Sequence, residues 1–312
     1  MKTISLLLCI AGLALASKPL FRDPVYDGAA DPALVWDRAG KKWLMFYTNR
    51  RASDMSLQGV SWVHGTKIGI AESADGGATW KYNGTAQIDY GKPDFTFWAP
   101  EIFDYQGTYH MYVSVVPGIF NDWNAPRDII HLTSTDLRKW KFESKLDLNS
   151  DRVIDPCVIR LPDGTFRMWY KNERSPKAGS ICYADSPDLY QWTSRGTAIP
   201  GVRGEGPKAF RWRDKYWMVV DVWDGLAVFS SDDCLKWTRQ PENILREPGT
   251  QPTDQRKGGH ADVVVSGERA FIFYFVHQDE RRTVIQGAEL KLADGKIVCD
   301  RNANAQIALK PR

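Results

Sequence analysis

Apolar runs of strand length recur along the whole chain, separated by Gly, Pro, Asp and Asn, while the rhythm of an amphipathic helix is nearly absent. That is the all-β pattern. The runs fall into five similar units, each opening on an acidic or polar residue, passing through an aromatic-rich strand and ending in a polar hairpin. The first runs from Asp31 (DPALVWDRAGKKWLMFY) to Trp80, and the second from WAPEIFDYQGTYHMYVS to Trp140. The third runs from Asp155 (DPCVIRLPDGTFRMWY) to Trp192, and the fourth from GEGPKAFRWRDKYWMVV to Trp237. A fifth, HADVVVSGERAFIFYF followed by TVIQGAELKLADGKIV, lacks the closing Trp. The closing Trp residues stand about 45 to 60 residues apart, against roughly 40 to 50 for a four-stranded propeller blade. Five units therefore predict a five-bladed β-propeller. A run such as Trp43-Leu44-Met45-Phe46-Tyr47 has no polar face, as expected of a strand in a sheet packed between two others. Radial packing also leaves few exposed edges among so many short strands.

Pro and Gly occur singly at turns such as Pro162-Asp163-Gly164 and Asp294-Gly295, where hairpins need positive φ. No stretch has the composition of a linker, so a single domain is expected over residues 17–312. Four longer segments interrupt the rhythm, at 51–67, 116–127, 172–180 and 240–259. Long irregular segments in a compact fold are usually functional. These can build one site only if they share a face of the ring or its rim. In VPGIFNDWNAPR, Phe120 and Trp123 could stack on a ligand or pack the loop on its own side chains.

The N-terminus adds a compartment. Lys2, an apolar run from Ile4 to Leu15 and an Ala14-Leu15-Ala16 end form the pattern of a secretory signal cleaved after Ala16, so a secreted or periplasmic protein is expected. The run is shorter than the roughly 20 residues of a membrane span, and no membrane association is expected. Cys9 lies within the signal. Cys157, Cys182, Cys234 and Cys299 remain, an even number in a compartment that permits disulfides. Cys157 and Cys182 share a unit and are the candidate pair, with buried free thiols the equal alternative. Net charge is +3 with both signs interspersed, which leaves no basic stripe for nucleic acid. A monomer is expected. The 13 Trp, 12 Tyr and 13 Phe are mostly structural on this reading, yet flat rings also cover the apolar faces of sugars.

The innermost strand of a propeller blade lines the central channel, so the residue opening it stands at the mouth of a shared pocket. Here those residues are Asp31, Glu101, Asp155, Glu205 and His260. Converging carboxylates repel unless protonated, hydrogen-bonded or paired with a cation. Such crowding drives pKa values apart, which lets one carboxylate serve as base and another as acid at the same pH. Proline recurs beside them, in Asp31-Pro32, Pro100-Glu101, Asp155-Pro156 and Glu205-Gly206-Pro207, where a strand start tolerates the lost backbone donor. Any one of these is an ordinary turn residue; their repetition in four consecutive units points to chemistry.

On these motifs, taken in order over essentially the whole mature length, the chain resembles the five-bladed propeller glycosidases of glycoside hydrolase family 43. The resemblance implies that Asp31 is the general base that activates water, that Asp155 tunes and positions the acid, and that Glu205 is the general acid. WAPE at Trp98–Glu101 matches the family's second-blade motif and implies substrate contacts for Trp98 and Glu101. His260 matches a fifth-blade His that faces a metal ion or water, which makes it a candidate neighbour of a structural Ca²⁺, an ion that prefers oxygen ligands. No cofactor is required. Arg282, beside His277 and Arg281, stands where arginines of related enzymes reach the sugar, or else it caps a solvated hairpin. Single-displacement hydrolysis with inversion is implied, with the base and acid carboxyls roughly 6.5–9.5 Å apart and Asp155 keeping Glu205 protonated by like-charge repulsion. The expected activity is exo-acting release of a pentose, of the α-L-arabinofuranosidase or β-xylosidase type, from polysaccharide fragments. The alternatives are a glycoside phosphorylase, which needs several basic residues around the base position, and a non-catalytic carbohydrate-binding propeller. SADGGATW, at 73–80, fits the hairpin device recurrent in sialidases, far from catalysis, and no arginine opens a unit as a sialidase site would need.

Overall fold

The computed structural model of the protein describes residues 18–174, 180–279 and 281–312. The expected signal peptide, with Cys9, lies outside the described residues, as does most of the 172–180 segment. Each of the five units forms an antiparallel sheet that meanders outward from the axis. The first blade is β1 (Ala29–Asp37), β2 (Lys42–Asn49), β3 (Lys67–Ser73) and β4 (Lys81–Thr85). A short β5 (Gln87–Asp89) then pairs parallel with the outer strand of the second blade. That blade is β6 (Thr96–Tyr105), β7 (Thr108–Val116), β8 (Asp128–Ser134) and β9 (Lys139–Lys145). The third comprises β10 (Val153–Arg160), β11 (Phe166–Asn172), β12 (Ser180–Ser186) and β13 (Thr193–Thr197). The fourth comprises β14 (Glu205–Trp212), β15 (Lys215–Asp221), β16 (Leu226–Ser231) and β17 (Thr238–Arg239). The fifth comprises β18 (Gly258–Ser266), β19 (Arg269–His277), β20 (Thr283–Ala293) and β21 (Lys296–Cys299). The expectation of a five-bladed β-propeller holds. Among the described residues no helix is long and apolar enough to cross a membrane.

The apolar core is divided among the seams between blades rather than gathered at the axis. Leu44, Phe46, Met111 and Trp140 fill the seam of blades one and two, and Trp169, Met218 and Phe229 that of blades three and four. Strands buried on both faces supply these wedges, which is why their sequences lack alternation. The two faces of the third blade separate Cys157 from Cys182. Cys157 faces blade four, its sulfur 3.2 Å from the Ala209 amide nitrogen, while Cys182 packs with Tyr112 and Met168 toward blade two. The candidate disulfide is therefore absent, and all four described cysteines are free. Burial pushes the Cys157 thiol up to about 12, which leaves it unreactive.

The outer hairpins share one device. In Ser73-Ala74-Asp75, the Asp75 carboxylate accepts from the Thr79 amide at 3.0 Å and Ser73 Oγ accepts from Gly77 N at 2.8 Å. Ser134 and Asp136, Ser186 and Asp188, and Ser231 and Asp233 repeat this Ser-x-Asp turn in blades two to four. The full SADGGATW form occurs once; its working part occurs in four blades.

Two sets of buried charges close the ring. Phe21 pairs with Ile285 of β20, so the N-terminal segment completes the outer edge of blade five. Asp254, 1% exposed, accepts from Lys18 Nζ at 2.7 Å and from the Tyr274 hydroxyl at 3.0 Å, and pairs with Arg301. This ties Lys18 and Arg301 to the fifth blade through Tyr274. On the axis, Lys208 Nζ of β14 lies 2.7 Å from Glu101 of β6 and 3.0 Å from Asp262 of β18. Glu101 also accepts from Val158 N of β10 at 3.1 Å, and Asp262 from Leu34 N of β1 at 2.6 Å. One ionic hub thus links all five blades.

A buried histidine pair couples this fold to pH. His110 Nδ1 of β7 lies 2.9 Å from His131 Nε2 of β8, and His131 stacks on Tyr112 with ring centres 4.7 Å apart. Burial lowers His110 to about 4 and His131 to about 3. Both folded values lie below the roughly 6.5 of an unfolded histidine, so the unfolded chain takes up protons first as pH falls. The stability contributed by the neutral pair is present above about pH 6.5 and is lost as pH falls toward 4. The thermal midpoint should fall between pH 7 and 5, and less steeply in a His131→Phe variant; parallel curves for the two proteins would show that the pair does not carry the effect.

Candidate active site

Every innermost strand carries a β-bulge at the same place. The ladder slips between Ala30 and Ala33, Trp98 and Glu101, Ile154 and Cys157, Glu205 and Lys208, and Gly258 and Ala261. In four blades the bulged residue has positive φ and precedes proline: Asp31 (53°), Ala99 (45°), Asp155 (60°) and Gly206 (55°). Left-handed backbone costs about 1–3 kcal/mol at a non-Gly residue, least for Asp, whose short side chain bonds locally. Proline fits the next position because a bulge leaves that N–H without a ladder partner. A Cβ on Gly206 would come within 2.5 Å of the His260 ring, so only glycine lets blade four approach blade five here.

Phasing the openers against the bulge corrects the expectation that they are equivalent. Asp31 and Asp155 hold the bulge itself, Glu205 stands one residue before it, and Glu101 two residues after. The two-residue step takes Glu101 down the channel into the Lys208 hub, 4% exposed. Glu101 is not in the pocket, and its predicted substrate contact is replaced by an ion pair.

The bulges also leave amide groups for side chains to satisfy. Ala99 N donates to Thr48 Oγ1 at 2.8 Å, Asp155 N to Ser114 Oγ at 3.0 Å, and His260 N to Asp221 Oδ2 at 2.9 Å. Each acceptor lies at or within two residues of the end of the second strand of the preceding blade. In blade three that place belongs to Lys171, which has only donors. Gly206 N turns instead to Asp155 Oδ2 at 3.0 Å, and Lys171 Nζ reaches Glu205 Oε2 at 2.8 Å.

These residues surround a cavity of about 1180 Å³ at one mouth of the channel. Asp31, Asp155, Glu205 and His260 all line it. The interrupting segments rise around it as a common wall, contributing Trp62, Trp123, Glu173 and residues 246–248 and 255–259. Trp98 lines it too, its indole N–H donating to Val63 O at 2.6 Å. Trp123 is 52% exposed. Phe120 does not reach the cavity; it packs behind the wall on His64, with ring centres 5.8 Å apart. Arg282 is likewise outside, its Nε 3.3 Å from Asp27 at the seam of blades five and one, whereas its neighbour His277 lines the cavity.

The carboxyls are in different electrostatic states. Burial raises Asp31, but Arg50, with Nη2 3.3 Å away, and His260, with Nδ1 3.7 Å away, outweigh it and hold the carboxyl below its ordinary value. Burial, with Glu205 and Asp31 adding repulsion against the pull of His260, raises Asp155 to about 6. Burial and then Glu205 raise Asp221 to about 7. Asp221 accepts two backbone N–H groups, from Trp223 and His260, and stands cross-strand from Glu205. Glu205 is the most open of the four, 29% exposed at its side chain. Its Oε1 accepts from Trp223 Nε1 at 3.2 Å. Arg50, Lys171, Asp221 and Trp223 were not legible as site residues. The available signal was the hairpin register, which returns the end of each second strand to the mouth where the first begins.

Among the described residues no group of three or more His, Cys, Asp or Glu is placed to hold an ion by itself, so a Ca²⁺ beside His260 would draw most of its six to eight oxygens from water.

One carboxylate held ionised and another facing solvent in the same pocket suit paired base and acid chemistry. The sequence model of Glycosyl hydrolases family 43 matches residues 60–296, and the chain belongs to that family. The match spans Asp155, Glu205 and His260 and begins downstream of Asp31. Among solved structures, the chain is similar to a thermostable family-43 glycoside hydrolase at 19% identity and TM-score 0.71, covering 94% of this chain and 99% of that one. It is also similar to a β-xylosidase/α-arabinofuranosidase from a compost microbial metagenome, crystallised with xylotriose in a calcium-free form, at 16% identity, TM-score 0.67 and coverage of 88% and 94%. A β-1,3-galactosidase bound to galactodeoxynojirimycin gives 15% identity, TM-score 0.68 and coverage of 91% and 98%. At these identities the likeness concerns the fold. A search of curated protein sequences finds no match.

Proposed function

We propose that this family-43 hydrolase is a secreted, exo-acting enzyme that releases a pentose with inversion, of the β-xylosidase or α-L-arabinofuranosidase type. The observation that carries the proposal is the pairing of Asp31, kept ionised by Arg50 and His260, with the solvent-facing Glu205 in one walled cavity. Asp31 takes a proton from water as the water oxygen bonds to the anomeric carbon. Glu205 gives its proton to the glycosidic oxygen, which leaves with the bonding electrons. Asp155, bonded to Gly206 N next to the acid, positions Glu205. Trp98 and Trp123 offer rings to the sugar. Export rests on the N-terminal pattern, and pentose release is supported by the xylosidase and arabinofuranosidase named among the similar structures.

The test is a panel of aryl glycosides and oligosaccharides, assayed with and without inorganic phosphate, followed by NMR of the first anomer released. Phosphate-independent release of pentose from chain ends, with inverted configuration, is expected. Retained configuration, phosphate dependence, or cleavage confined to internal linkages or other sugars would overturn the corresponding part of the proposal.

A further inference from the structure

Trp223 stands at the cavity edge under several unusual constraints. It is 48% exposed, yet its backbone φ is 57°, a region a bulky residue occupies only when its surroundings compel it. Asp221 supplies the compulsion, its Oδ1 accepting from Trp223 N at 2.8 Å. Lys171 and Arg203 stand 5.2 and 5.4 Å from the ring centre, so cations flank the indole. The outcome is that Nε1 points at Glu205 Oε1, 3.2 Å away.

Both oxygens of Glu205 are then occupied by groups that can only donate, so neither is open to a substrate oxygen until one donor moves. The two donors differ in permanence. Lys171 is 8% exposed at its side chain and anchored a second time, 3.3 Å from Glu173 Oε1. Trp223 is exposed and held by one backbone bond. On the reading that Glu205 is the general acid, we infer that Trp223 is a positioning residue that covers Oε1 between turnovers, and that the glycosidic oxygen of the substrate displaces it. Oε1 is therefore the atom that carries the transferred proton. As Trp223 leaves, Oε1 takes up a proton from solvent; in the step, the Oε1–H bond breaks and the proton joins the glycosidic oxygen. The bond from that oxygen to the anomeric carbon breaks, and water supplies the new bond while its proton passes to Asp31. The other groups facing Glu205 are Asp155 on β10, Asp221 on β15 and Arg127 at the end of the 116–127 segment, with His260 beside Gly206.

The test is the pH dependence of kcat/KM on phenyl β-D-xylopyranoside and phenyl α-L-arabinofuranoside, whose poor leaving group requires the acid. Trp223→Phe keeps a ring and removes the donor to the charged form, so the alkaline limb should move up by about half to one pH unit. Trp223→Leu should move it equally. An unshifted limb in a Trp223→Phe protein with the parental thermal midpoint overturns the inference, as does a shift confined to Trp223→Leu, which would assign the effect to the ring. Glu205→Gln assayed on 2,4-dinitrophenyl pentosides separates this from the underlying reading. Activity there, without activity on phenyl pentosides, keeps Glu205 as the acid and isolates Trp223, whereas loss on both removes the acid assignment itself.

Discussion

Replacing Asp31 by Asn should lower kcat by roughly 10²–10⁴-fold, and by the same factor whether the leaving group is phenol or dinitrophenol. The uniformity follows from the role. A base on the water is needed whatever departs, whereas a Glu205→Gln defect should shrink as the leaving group improves. Asn keeps the shape of Asp31 in a site where the residue is 7% exposed, but it cannot take a proton from water. It also leaves Arg50 without its anion, so the thermal midpoint should be measured beside the rate to keep folding and catalysis apart. Small azide, which needs no base, should restore turnover in the Asp31 variant and yield a glycosyl azide of inverted configuration. Activity within tenfold of the parent, or a loss that varies with leaving group, would move the base elsewhere. The pH profile supplies a second reading of the same group. Because Asp31 is held below its ordinary value, activity that depends on its ionised form should persist to pH values below the usual carboxylate range before the acid limb falls.

The propeller was legible because five copies of one strand pattern, with a turn device in four of them, repeat a single physical solution. The residues meeting in the pocket were legible where the bulge left a mark. Asp31 and Asp155 take left-handed backbone before proline, and Glu205 sits one residue earlier before a glycine that His260 leaves no room to replace. The same mark misdirected Glu101, which follows its proline rather than preceding it; two residues along an inner strand separate a pocket wall from a buried hub. Lys171 and Asp221 carry no motif, because their position is a property of the hairpin register and not of neighbours in sequence. Phe120 and Arg282 have the right chemistry on the wrong side of a wall, Phe120 against His64 and Arg282 against Asp27. Only the packing of loops against one another decides that.

Lys208→Met should destabilise the protein by roughly 3–5 kcal/mol at neutral pH, the range for removing one partner of a buried ion pair. Lys208 carries one charge for two carboxylates, Glu101 and Asp262, from opposite parts of the ring. Burial raises Glu101 even with the lysine present. Without it, both acids face each other in the channel, and each must either stay ionised against the other or bind a proton. Acids whose folded values are raised lose stability as pH rises above their unfolded values of about 4. The deficit of Lys208→Met should therefore deepen from pH 4 to 8, a trend opposite to that of the buried histidines. Glu101→Gln alone should cost less, because it leaves the Lys208–Asp262 pair neutral and Gln can still accept from Val158 N. Adding Glu101→Gln to Lys208→Met should recover part of the loss, a coupling that urea denaturation of the two single variants and the double variant measures directly. Additive losses would mean that the three groups do not act as one unit. A recovered double variant would show that the carboxylate two residues past its bulge acts as one unit with Lys208 and Asp262 on the axis that holds the blades together.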